Sequence, residues 1–373
     1  MLSPSSITTY FPEFNNKNTL IIYAGPVDQN FGNLSGVAIE DMRAYISENI
    51  QSDTRICFDD MYEGTAAISL LQIHEIIRDR FPENRVYFFT SALDIHEIYH
   101  TLVEKYNIQN RIHVNTCVTW ARALMNRSDL GPDTQYDIRE KDKIFLCFNR
   151  IARRHRRVLL GLVSDSGLLD KSYYSFLNGL HPGQSVRDIS ESLERFVGAD
   201  MSSVVSSGIS KITLPLKLNI EADDNVNYIK ESDKDYFRNS YLSVVTETFF
   251  FKFHLNYKGK YIDDQNSIFF SEKIFKPILM KHPFVLVSRP NSLKKLRELG
   301  YKTFSPMIDE TYDSIENDVD RMSAIVKEMN RLALQTTAEW ISWQECVSDI
   351  VNYNHKIFFK GPDRYGVSRG AYV

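Results

Sequence analysis

The stretch that decides the fold runs from Leu242 to Val287: LSVVTETFF (242–250), a polar insert, then FFSEKIFKPILMKHPFVLV (269–287). It predicts strand, loop, helix, strand. Leu242 to Thr246 is an apolar, β-branched run closed by Glu247. Ser271 stands where a helix begins, with Glu272 and Lys273 in its first turn, and Pro283 opens a second strand, Phe284 to Val287. Short continuous apolar runs mark parallel strands buried on both faces. In open α/β sheets, ligands bind where strands hand over to helices. A helix N-terminus there offers free N–H groups and a positive dipole end to a phosphate, and Lys273 adds a point charge. The same tripeptide also reads as a plain cap, with Ser271 as N-cap, Glu272 favouring the dipole and Lys273 solvated.

The wider context separates these readings. An acidic residue closes a strand, (F/Y)-x-(S/T)-E-K-x-(F/W)-x-x-(I/L) follows, and a strand begins near Pro. This order resembles nucleotide-sugar glycosyltransferases of the GT-B fold. It looks most like the donor-binding half of the fucosyltransferase-like enzymes and their viral and bacterial relatives. The resemblance covers much of that half, not the whole chain. It implies that Glu272 and Lys273 face the nucleotide-sugar and that Lys273 neutralises the diphosphate. It does not carry the sugar specificity.

At 373 residues the chain has room for two domains. No apolar run approaches the ~20 residues of a membrane span, and MLSPSSITTYFPEF lacks the basic-then-apolar order of a signal peptide. Cys57, Cys117, Cys147 and Cys346 are scattered without a C-x-x-C pair. That disfavours a zinc site or a disulfide framework and suits a reducing cytoplasm. A net charge of -4 does not indicate a globally basic nucleic-acid binder.

In the first half, Thr19 to Ala24 reads as a buried strand. A loop with Gly32 and Gly36 leads from it into a helix carrying Val37, Ile39, Met42 and Ile46. The loop lacks G-x-G-x-x-G spacing, so no dinucleotide fingerprint is present. The family resemblance would have it help hold the acceptor; a tight turn with packing glycines explains it equally well. Strands at Thr54–Phe58, Arg85–Thr90 and Arg111–Asn115 alternate with helices at Thr65–Phe81 and Ile95–Tyr106, which predicts a Rossmann-like parallel sheet. Asp59, Asp60 and Glu63 follow the second strand. Each is a candidate catalytic base for an acceptor hydroxyl, and each also reads as a surface or capping carboxylate.

The polar segment 126–141, which contains Gly-Pro, is the best linker. It divides the chain into an acceptor domain (1–140), a donor domain (141–335) and a C-terminal helix and tail (336–373). By resemblance, that helix crosses back over the first domain. The donor domain opens on the strand Lys143–Phe148, and Asn149 and Arg150 fall at its end. Arg153, Arg154, His155, Arg156 and Arg157 follow, giving five arginines in eight residues. They read as a diphosphate clamp, as a nucleic-acid contact, or as a solvated basic face whose stems cover apolar surface. They cannot all point one way on a helix. Arg150 with Arg153 or Arg157 is expected nearest the ligand, and the rest are expected to be exposed. Further on, Ser172–Pro182 looks turn-rich, Val186–Phe196 looks helical, the Ser-rich 197–211 has no clear reading, and Ile212–Leu218 looks like a strand. The insert 251–266, with His254, Tyr257 and Lys258, is long enough for a hairpin or flap.

The expectation is therefore an α/β protein with two Rossmann-like domains facing across a cleft, GT-B-like. It would be a glycosyltransferase moving a sugar from a nucleotide-sugar donor to a hydroxyl of a glycan or a modified nucleobase. The donor site would comprise Asn149, Arg150, Arg153, Arg157, Glu247, Ser271, Glu272 and Lys273. No alternating D-x-D is evident, so no metal is required, and no cofactor is expected beyond the nucleotide-sugar substrate. Two alternatives stand beside it: a nucleic-acid-binding α/β protein using the Arg150–Arg157 cluster, and an inactive relative kept as an interaction module.

Overall fold

The computed structural model describes residues 12–23, 36–61, 66–78, 81–125, 136–179, 193–218, 229, 231–252, 254–257, 260–263, 267–360 and 368–369. Its contacts gather into two α/β units. One comprises residues 1–119, 252–269 and 362–373; the other comprises 120–251 and 270–361.

The first unit alternates β1 (Thr19–Tyr23), α1 (Gly36–Asn49), β2 (Arg55–Asp60), α2 (Ala66–Ile77), β3 (Val86–Thr90), α3 (Ile95–Tyr106) and β4 (His113–Thr116). The four strands are parallel and lie in sequence order. Parallel crossovers of one hand that always step the same way leave their helices on one face. The side chains follow that geometry. Ile56, Phe58, Val86, Phe88 and Val114 pack with Ile46 of α1, Ile73 of α2 and Leu102 of α3 in one core. The opposite face, with Cys57, Phe89 and Cys117, is covered by Phe14. The strand order never reverses among the described strands, so this sheet has no topological switch point. Residues Ser368–Arg369 pair antiparallel with β4. Within the insert, His254–Tyr257 and Lys260–Asp263 form an antiparallel hairpin.

The second unit contains β5 (Lys143–Ile151), α4 (Arg154–Asp165), β6 (Ser172–Gly179), α5 (Leu193–Ser210), α6 (Glu231–Arg238) and β7 (Ser240–Thr246). These are followed by α7 (Glu272–Leu279), β8 (Phe284–Val287), α8 (Ser292–Glu298), α9 (Asp318–Leu332) and α10 (Thr337–Phe359). Its sheet is wholly parallel with the order β8-β7-β5-β6. The chain steps from β5 to β6 on one side and then returns to place β7 on the other side of β5. This reversal makes the carboxyl ends of β5 and β7 a switch point, where a crevice opens between diverging connections.

Several segments depart from the sequence expectation. Ser172–Gly179 is a full strand whose aromatics pack instead of turning. The Ser-rich segment is helical over 199–210, past a break in α5 at Gly198 (φ 75°, ψ 167°), and its small residues let α5 lie against α4. Gly161 and Gly208 meet at that crossing, and a Cβ added at Gly208 would stand 1.9 Å from the Gly161 carbonyl oxygen. Ser164 Oγ donates to Gly208 O at 2.8 Å. Ile212–Leu218 forms no strand, only a bridge between Leu216 and Phe176. Helix α10 belongs to the second unit and packs against α7. No helix among the described residues is long and apolar enough to cross a membrane.

The crossing gives a stability prediction. Gly208→Ala forces backbone apart in a packed interface and should cost about 1–3 kcal/mol, read as a lower urea midpoint. Gly167→Ala adds a Cβ that meets nothing within 4 Å, so its cost should come only from its positive φ.

Candidate functional site

A cavity of about 240 Å³ opens at the β5/β7 switch point, entirely within the second unit. The end of β5 contributes Asn149, Arg150 and Ile151, and β7 contributes Val245 and Thr246. Arg153 and Arg156 come from the start of α4, Asp233 and Phe237 from α6, and Glu272, Lys273, Lys276 and Pro277 from α7. Five cationic side chains thus meet two carboxylates around one opening.

Two buried side chains hold the switch point together. Arg156 donates through its two terminal nitrogens to Ile151 O and Thr246 O, both at 3.2 Å, and so ties the ends of the two strands. Burial, then the neighbouring Arg153, lowers its pKa to about 10, leaving it charged at neutral pH. Asn149 Oδ1 accepts from Thr246 Oγ1 at 2.6 Å, a second tie across the same strands.

Helix α7 is fixed by its cap. Ser271 Oγ accepts from Lys273 N at 3.3 Å and donates to Glu247 Oε2 at 2.6 Å, while Ser271 N donates to Glu247 Oε1 at 3.2 Å. Thr248 N also donates to Glu247 Oε2, at 3.2 Å. Glu247 is 0% exposed. Burial raises its pKa despite the nearby Lys273 charge and these donors. Lys273 Nζ lies 2.8 Å from Ser271 Oγ and 3.4 Å from Glu272 Oε1. Burial pushes the Glu272 carboxyl up, but Lys273 and then Lys276 outweigh it, and its pKa falls below the ordinary carboxylate value. Lys276 is shifted down by burial, while Glu272 and Asp233 pull it back.

Among the residues expected at a donor site, Asn149, Arg150, Arg153, Glu272 and Lys273 line this cavity. Glu247 and Ser271 lie beneath it as the clamp and cap of α7, and Arg157 does not line it. Arg156, expected to be exposed, is instead buried and lines the cavity, and Lys276 and Asp233 line it without an expectation from the sequence. Helical spacing from Arg153 to Arg156, and from Glu272 and Lys273 to Lys276, carried the first two; nothing in the sequence distinguished Asp233. The arginine cluster itself divides. Arg150 and Arg154 are exposed and Arg153 is half-buried, whereas Arg156 and Arg157 are buried, so the five do not form one basic stripe.

Of the candidate bases, Asp59 and Asp60 end β2 in the first unit and are both buried. Asp59 Oδ1 accepts from Met61 N at 3.0 Å. Glu63 lies outside the described residues, as does Lys258. Among the described residues, no group of three or more His, Cys, Asp or Glu side chains is assembled to hold a metal.

Two buried histidines sit under the site. His155 Nε2 lies 2.9 Å from Glu247 O, and its ring stacks on Phe250. His282 lies between Ser243 Oγ, 2.8 Å from Nδ1, and Ser240 O, 2.8 Å from Nε2. Burial lowers both pKa values, that of His282 to about 3.

No protein-family model matches the sequence, and no curated protein matches it. Among solved structures, the chain is similar to a UDP-forming α,α-trehalose-phosphate synthase from Burkholderia xenovorans, with 11% identity and a TM-score of 0.41 over 95% of this chain and 84% of that one. It is also similar to an α,α-trehalose 6-phosphate synthase from Burkholderia multivorans, with 12% identity and a TM-score of 0.38 over 96% and 80%. The N-terminal domain of trehalose-6-phosphate phosphatase from Candida albicans gives 11% identity and a TM-score of 0.36 over 89% and 74%. At these values the likeness assigns no activity.

The histidines generate a pH prediction. A histidine whose folded pKa lies below its unfolded value takes up its proton more readily on unfolding. Its contribution is therefore present above about 6.5 and is lost as pH falls toward the folded value. Urea midpoints should drop as pH falls from 6.5 toward 3, with His282 supplying up to about 1.4 kcal/mol per pH unit. His282→Gln should be less stable at neutral pH yet show a shallower decline.

Proposed function

We propose that the second unit binds the diphosphate of a nucleotide-sugar at the β5/β7 switch point and that the protein is a glycosyltransferase with a fucosyltransferase-like donor half. The observation that supports this is the convergence of Lys273, Arg150, Arg153 and the first turn of α7 on one cavity at the carboxyl edge of a parallel sheet. A diphosphate matches that edge in charge, and helix N–H groups suit its oxygens. In the reaction, an acceptor hydroxyl oxygen bonds to the anomeric carbon as the bond from that carbon to the diphosphate oxygen breaks. The departing diphosphate keeps the electron pair, and Lys273 with the arginines stabilises its charge by electrostatic preorganisation. The acceptor proton goes to a base if the transfer inverts, and Asp59, Asp60 and Glu63 are the candidates for it. No metal is needed for this scheme.

A thermal-shift screen of UDP, GDP, CMP, ADP and their sugars, run with chelator, tests it. A nucleotide at 100 times its Kd adds about 2.7 kcal/mol of stability. One nucleotide class should stabilise the protein, and Lys273→Ala should remove the shift. Where turnover is measured, neutralising the true base, by Asp59→Asn, Asp60→Asn or Glu63→Gln, should cost about 10²–10⁴ in kcat with the nucleotide shift intact. No shift with any nucleotide, together with a salt-sensitive shift by duplex DNA or RNA, would sink the donor reading.

A further inference from the structure

Besides the cationic residues at the strand ends, the cavity is lined by residues further back along the sheet, an inner part termed the shaft. Register places Leu146 beside Ser243 and Phe148 beside Ser175, and all four line it. Leu177, Phe237 and Pro277 complete largely apolar walls. Ser243 lies three residues back along β7 from Thr246, roughly 10 Å inside the strand ends. The cavity as a whole, mouth included, measures about 240 Å³.

The chemistry of the inner end is set by a hydrogen-bond chain. Ser240 O can only accept, so His282 Nε2 carries its proton. The imidazole is neutral because burial keeps its pKa near 3. Its Nδ1 therefore carries no proton and accepts a hydrogen bond from the Ser243 hydroxyl at 2.8 Å. Ser243 is 4% exposed and lines the cavity, and its hydroxyl oxygen keeps lone pairs after donating to His282. A group that enters must bring a donor or leave that oxygen unsatisfied. With phosphates at the mouth, either the sugar or the base could occupy the shaft. A sugar would bury several hydroxyls against Leu and Phe side chains, which is costly; a planar base offers apolar faces and an N–H on its edge.

We infer that the shaft takes the base of the nucleotide and that Ser243, locked as an acceptor by His282, reads an N–H on the base's leading edge. This rests on the nucleotide reading above. The test compares, on the wild-type chain, UDP with N3-methyl-UDP, GDP with N1-methyl-GDP, ADP with N6,N6-dimethyl-ADP and CDP with N4,N4-dimethyl-CDP by calorimetry. The parent that binds should lose at least about tenfold in affinity on methylation. Ser243→Ala should weaken the parent and bring parent and analogue to within about twofold. If Ser243→Ala does not fold, the wild-type pairs decide alone. Equal binding of parent and methylated forms overturns this inference and leaves the nucleotide reading standing. Failure of every nucleotide to bind overturns both.

Discussion

The second unit depends on one buried carboxylate. Glu247 ends the run that begins at β7, and its two oxygens hold Ser271 through both hydroxyl and backbone N–H. Between those residues the chain contributes 252–269 to the first unit before it returns. The clamp thus closes a long excursion and sets where α7 starts relative to β7. Without it, nothing local would position Glu272 and Lys273 at the strand ends. A buried acid in this role must be fully engaged, because an unpaired buried charge is among the costliest features a fold can carry.

Around this clamp, charge is distributed by depth. Arg156 sits deepest, and its guanidinium is occupied by two strand-end carbonyls. Lys276 lies in the fields of Glu272 and Asp233. Arg150 is the most exposed of the lining cations, with Arg153 and Lys273 partly exposed. The inner cations therefore hold the crevice open in a defined shape, while those nearest solvent remain positioned to meet an anion. Preorganisation of this kind spares a site the cost of reorienting its dipoles when the ligand arrives.

Much of this was legible in the sequence, for identifiable reasons. The run Phe284–Val287 and the helix Ile95–Tyr106 read correctly because continuous apolar runs and helical periodicity are local signals. Ser271 read correctly as a cap because capping is set by neighbours two and three residues away. The strand at Ser172 and the helix beyond residue 197 were not legible, since each depends on a partner distant in sequence: β5 for the first, Gly161 of α4 for the second. Strand order was hidden for the same reason. The reversal at β5 and β7 creates the crevice, yet no residue announces it. Glu247 was read as a group facing the ligand because it ends a strand; the structure commits it inward instead, to Ser271.

On this reading the β5/β7 crevice holds a nucleoside diphosphate. A crystal structure of the protein with the nucleotide that most raises its melting temperature tests it most directly. Diphosphate density beside Lys273 and Arg153, with the base running inward toward Ser243, is the expected result. A diphosphate bound elsewhere, with this crevice filled only by water, would contradict it.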